Sequence, residues 1–194
     1  EFNDDWAVSM KFETHNSPSA KEPYGGAETG ILGGYRDILG AGKGSKLIAG
    51  SYGYCTPDPF YNGDLNPEIP PRRLLEGIVE GVRDGGNKSG VPTIYGYSKY
   101  DNSFLGKPLV YVGSVGLMPK EINEEQSWEK DVEEDDLIVM VGGRVGKDGI
   151  HGVTESSLEF GEHITASHVQ IGDPFTQKKV HDFMIEERDL GLYK

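Results

Sequence analysis

Trp6-Ala-Val-Ser-Met-Lys-Phe-Glu-Thr-His-Asn-Ser-Pro-Ser19 is the stretch on which the reading of this chain turns. Trp6, Val8, Met10 and Phe12 alternate with Ala7, Ser9, Lys11, Glu13 and His15, a period of two that predicts a half-buried β-strand. The even positions are expected to face a core. The odd ones line up an ammonium, a carboxylate and an imidazole on the other face, at intervals of roughly 6–7 Å from the strand rise. An amine, a hard-oxygen acid and a titratable base at one strand end suit phosphoryl transfer or ligation.

Working outward, Pro18 and Pro23 punctuate a loop, and Gly25 to Gly34 holds a glycine-rich run that leads into Tyr35-Arg-Asp-Ile-Leu39. Glycines let backbone approach a phosphate, and a helix starting there would aim N–H groups at an anion. Arg36 can fork onto phosphate oxygens and Asp37 is a hard ligand of the kind Mg²⁺ takes. Taken by themselves the glycines are better read as an ordinary turn. Beside Lys11, Glu13 and His15 the functional reading prevails.

Leu47–Tyr52 is strand-like, and Cys55 to Pro71 reads as a proline-rich loop in which Cys55 is structural. Leu74, Leu75, Ile78, Val79 and Val82 predict a helix over 72–83 that stops at Asp84-Gly85-Gly86. The glycines of 85–90 resemble a phosphate loop but fit a helix end and turn before a strand at 92–97 better. Leu109–Val115 is another strand. Residues 121–136 hold nine acidic residues and one lysine, a solvated run without chemistry. Leu137–Val141 is short and wholly apolar, which predicts a central strand buried on both faces. Gly142 to Gly152 follows as a second ligand loop, with Arg144 and Lys147 pointing to anion recognition over a plain hairpin. Thr154–His168 reads as partly loop. Asp173-Pro174 opens a last helix with Phe175, Val180, Phe183 and Met184 on its buried side, ended by Arg188–Gly191.

The chain's 194 residues suit one domain with a proper core. Its 28 glycines are about twice the ~7% average, which favours tight turns and backbone-lined loops. A net charge of −13 argues against nucleic acid as a partner. With no long apolar run and no signal-peptide pattern, a membrane partner is not expected. A single cysteine points to a reducing, cytoplasmic setting.

Lys11-Phe-Glu-Thr-His-Asn-Ser-Pro-Ser19, Tyr35-Arg-Asp37, Gly142-Gly-Arg-Val-Gly-Lys-Asp-Gly-Ile-His-Gly152 and Val169-Gln-Ile-Gly-Asp-Pro-Phe175 together resemble the phosphoribosylformylglycinamidine synthase family. These are ligases of purine biosynthesis in a superfamily with aminoimidazole ribonucleotide synthetase and selenophosphate synthetase. The match covers nearly the whole chain, in order. The resemblance implies an α+β fold, a mostly antiparallel sheet with helices on one face, in which residues 1–194 form a single N-terminal-type module of a longer enzyme. It implies ATP, Mg²⁺ and formylglycinamide ribonucleotide as ligands, and glutamine as nitrogen source. Companion synthetase modules and a glutaminase are the implied partners.

By position, His15 resembles the general base, and Lys11, Gly142, Gly143 and Arg144 resemble nucleotide contacts. Thr14, His15, Asn16, Ser17, Arg36 and Gln170 resemble substrate contacts, and Glu13 and Asp37 metal ligands. One departure is Ser17, where many members carry a second histidine. The competing readings are another ATP-using enzyme of the superfamily and a non-catalytic module that binds nucleotide or docks a partner. Alone, the fragment is expected to be an inactive homodimer.

Overall fold

The computed structural model describes residues 4–65, 69–147, 149–150 and 169–194. Its centre is a four-stranded sheet in the order β1-β4-β2-β3, with β1 Trp6–Thr14, β2 Lys46–Thr56, β3 Thr93–Tyr100 and β4 Leu109–Pro119. The β1–β4 and β4–β2 pairs are antiparallel and β2–β3 is parallel. A parallel pair needs a crossover, supplied here by a helix. The α+β class with a mainly antiparallel sheet therefore stands.

Among the described residues, four α-helices accompany the sheet: α1 Asn16–Lys21, α2 Pro23–Leu39, α3 Pro71–Ser89 and α4 Pro174–Asp189. The core lies between one sheet face and α2 and α3, with Ile31, Leu32, Ile78, Val110 and Val112 essentially excluded from solvent. Each such side chain contributes about 1.5–3 kcal/mol by burial. A hairpin of β5 (Glu121–Ile122) and β6 (Glu125–Gln126) follows β4. The rest of the acidic run is mostly exposed, as its charge requires.

Glycine has a different use here from the one the sequence suggests. Gly25 to Gly34 lies inside α2, so it is no phosphate loop. Pro18 sits in α1 and Pro23 is the first residue of α2, whose amide end is capped by the Glu22 carboxylate on Gly25 N–H. A methyl group at Gly26 would lie 2.5 Å from the Ser19 nitrogen of α1, and one at Gly81 would lie 2.2 Å from the Tyr24 carbonyl of α2. These glycines let the three helices touch backbone to backbone. α3 likewise runs through Gly85 and Gly86, ending at Gly90 in the left-handed conformation (φ 67°).

Several other expectations change. Cys55 is buried within β2, not in a loop. Leu137–Val141 is not a strand: it pairs with no strand among the described residues, and Leu137 is 90% exposed. An apolar run becomes a central strand only if neighbours on both edges take its backbone groups, and β2 and β4 already flank each other. Phe175 and Phe183 of α4 point outward, because the face of α4 turned to the module carries Gln177, His181 and Arg188 instead. The apolar row of β1 also faces away from the helices, leaving Met10 62% and Phe12 55% exposed. On that open face Phe12 lies over Gly113 and stacks with Tyr111 at 6.1 Å, while Tyr97 covers Gly53. The expectation for Thr154–His168 lies outside the described residues.

Candidate functional site

Lys11, Glu13 and His15 share the helix-facing side of the sheet and meet α2 along its length. Pairing of β1 with β4 at Lys11↔Ser114 and Glu13↔Val112 fixes that orientation, since Ser114 and Val112 lie under the helices. Near the end of α2, Lys11 Nζ contacts Asp37 at 2.8 Å and Glu13 at 3.4 Å. The hydrogen bond to Asp37, then the charge of Glu13, raise the Lys11 pKa above its ordinary value. All three side chains are about half exposed or less, so the cluster is open to a ligand.

His15 lies just past the end of β1, as the residue before α1. Its backbone N–H donates to Val110 O at 2.9 Å and its carbonyl accepts from Ser19 Oγ at 2.6 Å, so the main chain is held on both sides. The ring rests on α2: Nδ1 faces the Gly26 carbonyl, and a methyl group at Gly30 would lie 2.6 Å from His15 Cβ. A carbonyl only accepts, so Nδ1 carries the proton and Nε2 keeps the lone pair. Burial lowers the imidazole pKa, outweighing the opposing pull of Gly26 and Glu13. A neutral imidazole with a free Nε2 is a competent base at neutral pH.

The other expected site residues divide. Thr14 is exposed, and Ser17 is half-buried on α1. Asn16 Oδ1 accepts from Val110 N–H at 2.8 Å, so that side chain anchors β4. Arg36 Nε donates to Gln177 Oε1 of α4 at 3.1 Å. The Gln170 carbonyl accepts from Thr29 Oγ1 at 2.5 Å, which seats the Gln170–Asp173 segment on α2 while the Gln170 side chain stays exposed. Gly142 and Arg144 are exposed, and Gly143 passes Thr176 at the start of α4. α2 therefore holds Lys11, Glu13 and Asp37 together near its end and seats His15 nearer its start, while Arg36 turns to α4 and Gln170 lies beside Thr29. Among the described residues, no hydrogen bond or ion pair joins Gly142 or Arg144 to them.

Sequence reading missed the groups that hold this arrangement. Gly26 and Gly30 seat His15, and their four-residue spacing on one helix face was the signal available. Thr29 and Gln177, which tie the Gln170 segment and α4 to α2, carried no signal.

No cluster of three or more His, Cys, Asp or Glu suited to a metal occurs among the described residues. Glu13 and Asp37 do converge on one point through Lys11. A carboxylate pair of that kind fits Mg²⁺, which typically binds one or two carboxylates and completes its shell with phosphate and water.

The edge strand of the sheet and α2 together thus line up an ammonium, two carboxylates and an imidazole in a two-layer α+β module. The chain belongs to the AIR synthase related family: the model of its N-terminal domain matches residues 1–118. The chain is 43% identical over 189 residues to phosphoribosylformylglycinamidine synthase subunit PurL of Thermococcus kodakarensis, covering 95% of this chain and 25% of that protein. It is 35% identical over its full length to the same subunit of Thermoplasma volcanium, again 25% of that protein. The crystal structure of Thermotoga maritima PurL complexed with FGAR matches 98% of the chain and 29% of its own length, at 30% identity and a TM-score of 0.75. The ATP complex of that protein matches with a TM-score of 0.72, 29% identity, and coverage of 98% and 26%. The chain thus spans about a quarter of its curated relatives. No described helix is long and apolar enough to cross a membrane.

Proposed function

We propose that this chain is the N-terminal module of the synthetase part of a phosphoribosylformylglycinamidine synthase, a ligase that uses ATP and glutamine-derived ammonia on formylglycinamide ribonucleotide. The observation that carries the reading is the row of Lys11, Glu13 and His15 along α2, with Asp37 at one end and the seated imidazole at the other. The relatives complexed with FGAR and with ATP have the same fold, at 30% and 29% identity.

In this reading Lys11 holds phosphate oxygens of the nucleotide, and Gly142, Gly143 and Arg144 contact it from the second loop. Glu13 and Asp37 would hold Mg²⁺, which neutralises charge on the phosphates. Thr14 to Ser17, Arg36 and Gln170 orient the substrate. ATP phosphorylates the formylglycinamide oxygen, ammonia attacks the activated carbon and phosphate leaves. His15 Nε2 accepts a proton from the attacking nitrogen, and its fixed tautomer leaves that lone pair ready. The cost of reorienting the ring is thereby removed from the reaction. The companion modules come from the rest of the longer protein and the glutaminase from a further domain or a separate subunit, in a cytoplasmic setting. The exposed apolar sheet face is the surface on which another sheet would close, and in the isolated chain that partner is a second copy.

The test is His15→Ala in the full-length enzyme, with substrate-dependent ATP turnover as the readout. A loss on the order of 10²–10⁴-fold in kcat with a small change in KM is expected of a general base. A loss below about tenfold, worth less than ~1.4 kcal/mol, would remove His15 from that role.

A further inference from the structure

α2 is held along two adjoining strips. Gly26, Gly30 and Asp37 meet β1 and His15. One step round the helix, Gly25, Thr29, Leu32 and Arg36 recur at i, i+4, i+7 and i+11, which makes a single face. That face meets the segment from Gln170 to Gln177: Gly25 passes Ile171, a methyl group at Gly172 would lie 2.4 Å from Leu32 Cδ1, and Arg36 reaches Gln177. The segment therefore lies along α2 on the flank next to the Lys11–His15 row. It brings Gln170 level with His15, since Thr29 and Gly30 belong to the same helical turn.

Thr29 fixes that level. It is buried, and its hydroxyl donates to the Gln170 carbonyl at 2.5 Å while accepting from Gly172 N–H at 3.2 Å. A helical threonine ordinarily turns its hydroxyl back to a carbonyl one turn earlier. Here the single proton goes instead to a segment 141 residues away. On the other side Gly149 of the second loop, at φ 81°, comes so close that a methyl group there would lie 2.7 Å from Gln170 Cβ. The Gln170 main chain is thus held between α2 and that loop, while its side chain stays exposed. An exposed amide on a fixed main chain loses less freedom when it meets a ligand.

We propose that Thr29 is a positioning residue for substrate recognition, its hydroxyl holding Gln170 level with the His15 imidazole so that both meet one ligand. The inference rests on the substrate role given to Gln170 and adds the residue through which that role is set. Its signature is a selective one: weaker binding of formylglycinamide ribonucleotide without weaker binding of ATP.

Kinetics of the full-length enzyme are the test, with KM for formylglycinamide ribonucleotide and KM for ATP measured separately. Thr29→Val, close in shape but without the hydroxyl, should raise the first about three- to tenfold, the worth of one hydrogen bond, and leave the second and kcat nearly unchanged. Thr29→Ala serves the same comparison should the valine variant fail to fold. Thr29→Ser keeps the hydroxyl and should recover most of the loss. Gln170→Ala should raise the same KM, and adding Thr29→Val to it should change nothing further, because a residue that acts through another has no effect once that other is gone. If Gln170→Ala leaves that KM unchanged, the substrate role of Gln170 fails and the inference goes with it. If Gln170→Ala raises it and neither Thr29→Val nor Thr29→Ala does, the inference alone fails. Equal rises for both substrates, a serine variant no better than the valine one, or additive losses in the double variant would each make Thr29 structural and overturn the proposal.

Discussion

At the scale of single residues, the seat of His15 is the sharpest prediction. Gly30 leaves no room for a methyl group beneath the imidazole, so Gly30→Ala must push the ring off α2 and away from the Gly26 carbonyl. Turnover should fall while the fold persists, and nitrogen shifts of the His15 ring should change from an Nδ1-protonated tautomer to a mixture. An unchanged tautomer would show that Gly30 does not position the ring. Asp37→Asn makes a second test. It removes the closest partner of Lys11 and one of the two proposed hard ligands, so Mg²⁺–nucleotide should bind more weakly in the full-length enzyme. The same Mg²⁺ dependence as the parent would take Asp37 out of the metal site. The common face of Lys11, Glu13 and His15 was legible because a strand has a strict period of two. The use of Asn16 was not, because its partner is Val110, far along the chain and adjacent only through the sheet.

At the scale of elements, α4 is the instructive case. Polar groups fasten it to the module: Gln177 Nε2 on Leu32 O at 2.9 Å, His181 Nε2 on Leu47 N–H, and buried Arg188 on Gly44 O at 2.6 Å. The Leu47 N–H is free for this because β2 has a bulge between Leu47 and Ala49. Protonation at Nε2 would abolish that bond. Burial, helped by the Lys178 charge and opposed by Asp182, lowers the folded-state pKa of His181, and burial lowers that of His15. In each case the unfolded chain binds protons more readily. The stabilisation is therefore complete above the unfolded value of ~6.5 and is lost as pH falls through the folded one. Urea midpoints should drop between about pH 7 and pH 5, and His181→Gln, which keeps an acceptor but cannot titrate, should flatten the drop. An identical slope in that variant would rule His181 out as the titrating group. Capping and spacing made α3, β4 and the Asp173-Pro174 helix start legible. The Gly25–Gly34 run and Leu137–Val141 were misread because glycine tolerates both loops and close helix packing, and because a strand's burial depends on neighbours that a local window does not contain.

At the scale of the whole molecule, one sheet face carries the helices and the other carries Met10, Phe12, Tyr95 and Tyr97 in the open. Exposed apolar area of this kind marks an interface. Sedimentation of the isolated chain at micromolar concentration should show a two-fold dimer, and Phe12→Glu should return it to monomer without unfolding it. A parent that sediments as a monomer would leave the sheet face with no self-partner. The topology also has a clock in it. Among the described residues β1 is an edge strand with one neighbour, β4, which is specified about a hundred residues later. At the ~5–20 residues per second of translation, Trp6, Val8, Met10 and Phe12 leave the ribosome some 5–20 seconds before the strand that will hold them exists. During that interval the segment that carries Lys11 and His15 is an unpaired apolar ribbon, the kind of exposed surface that chaperones cover.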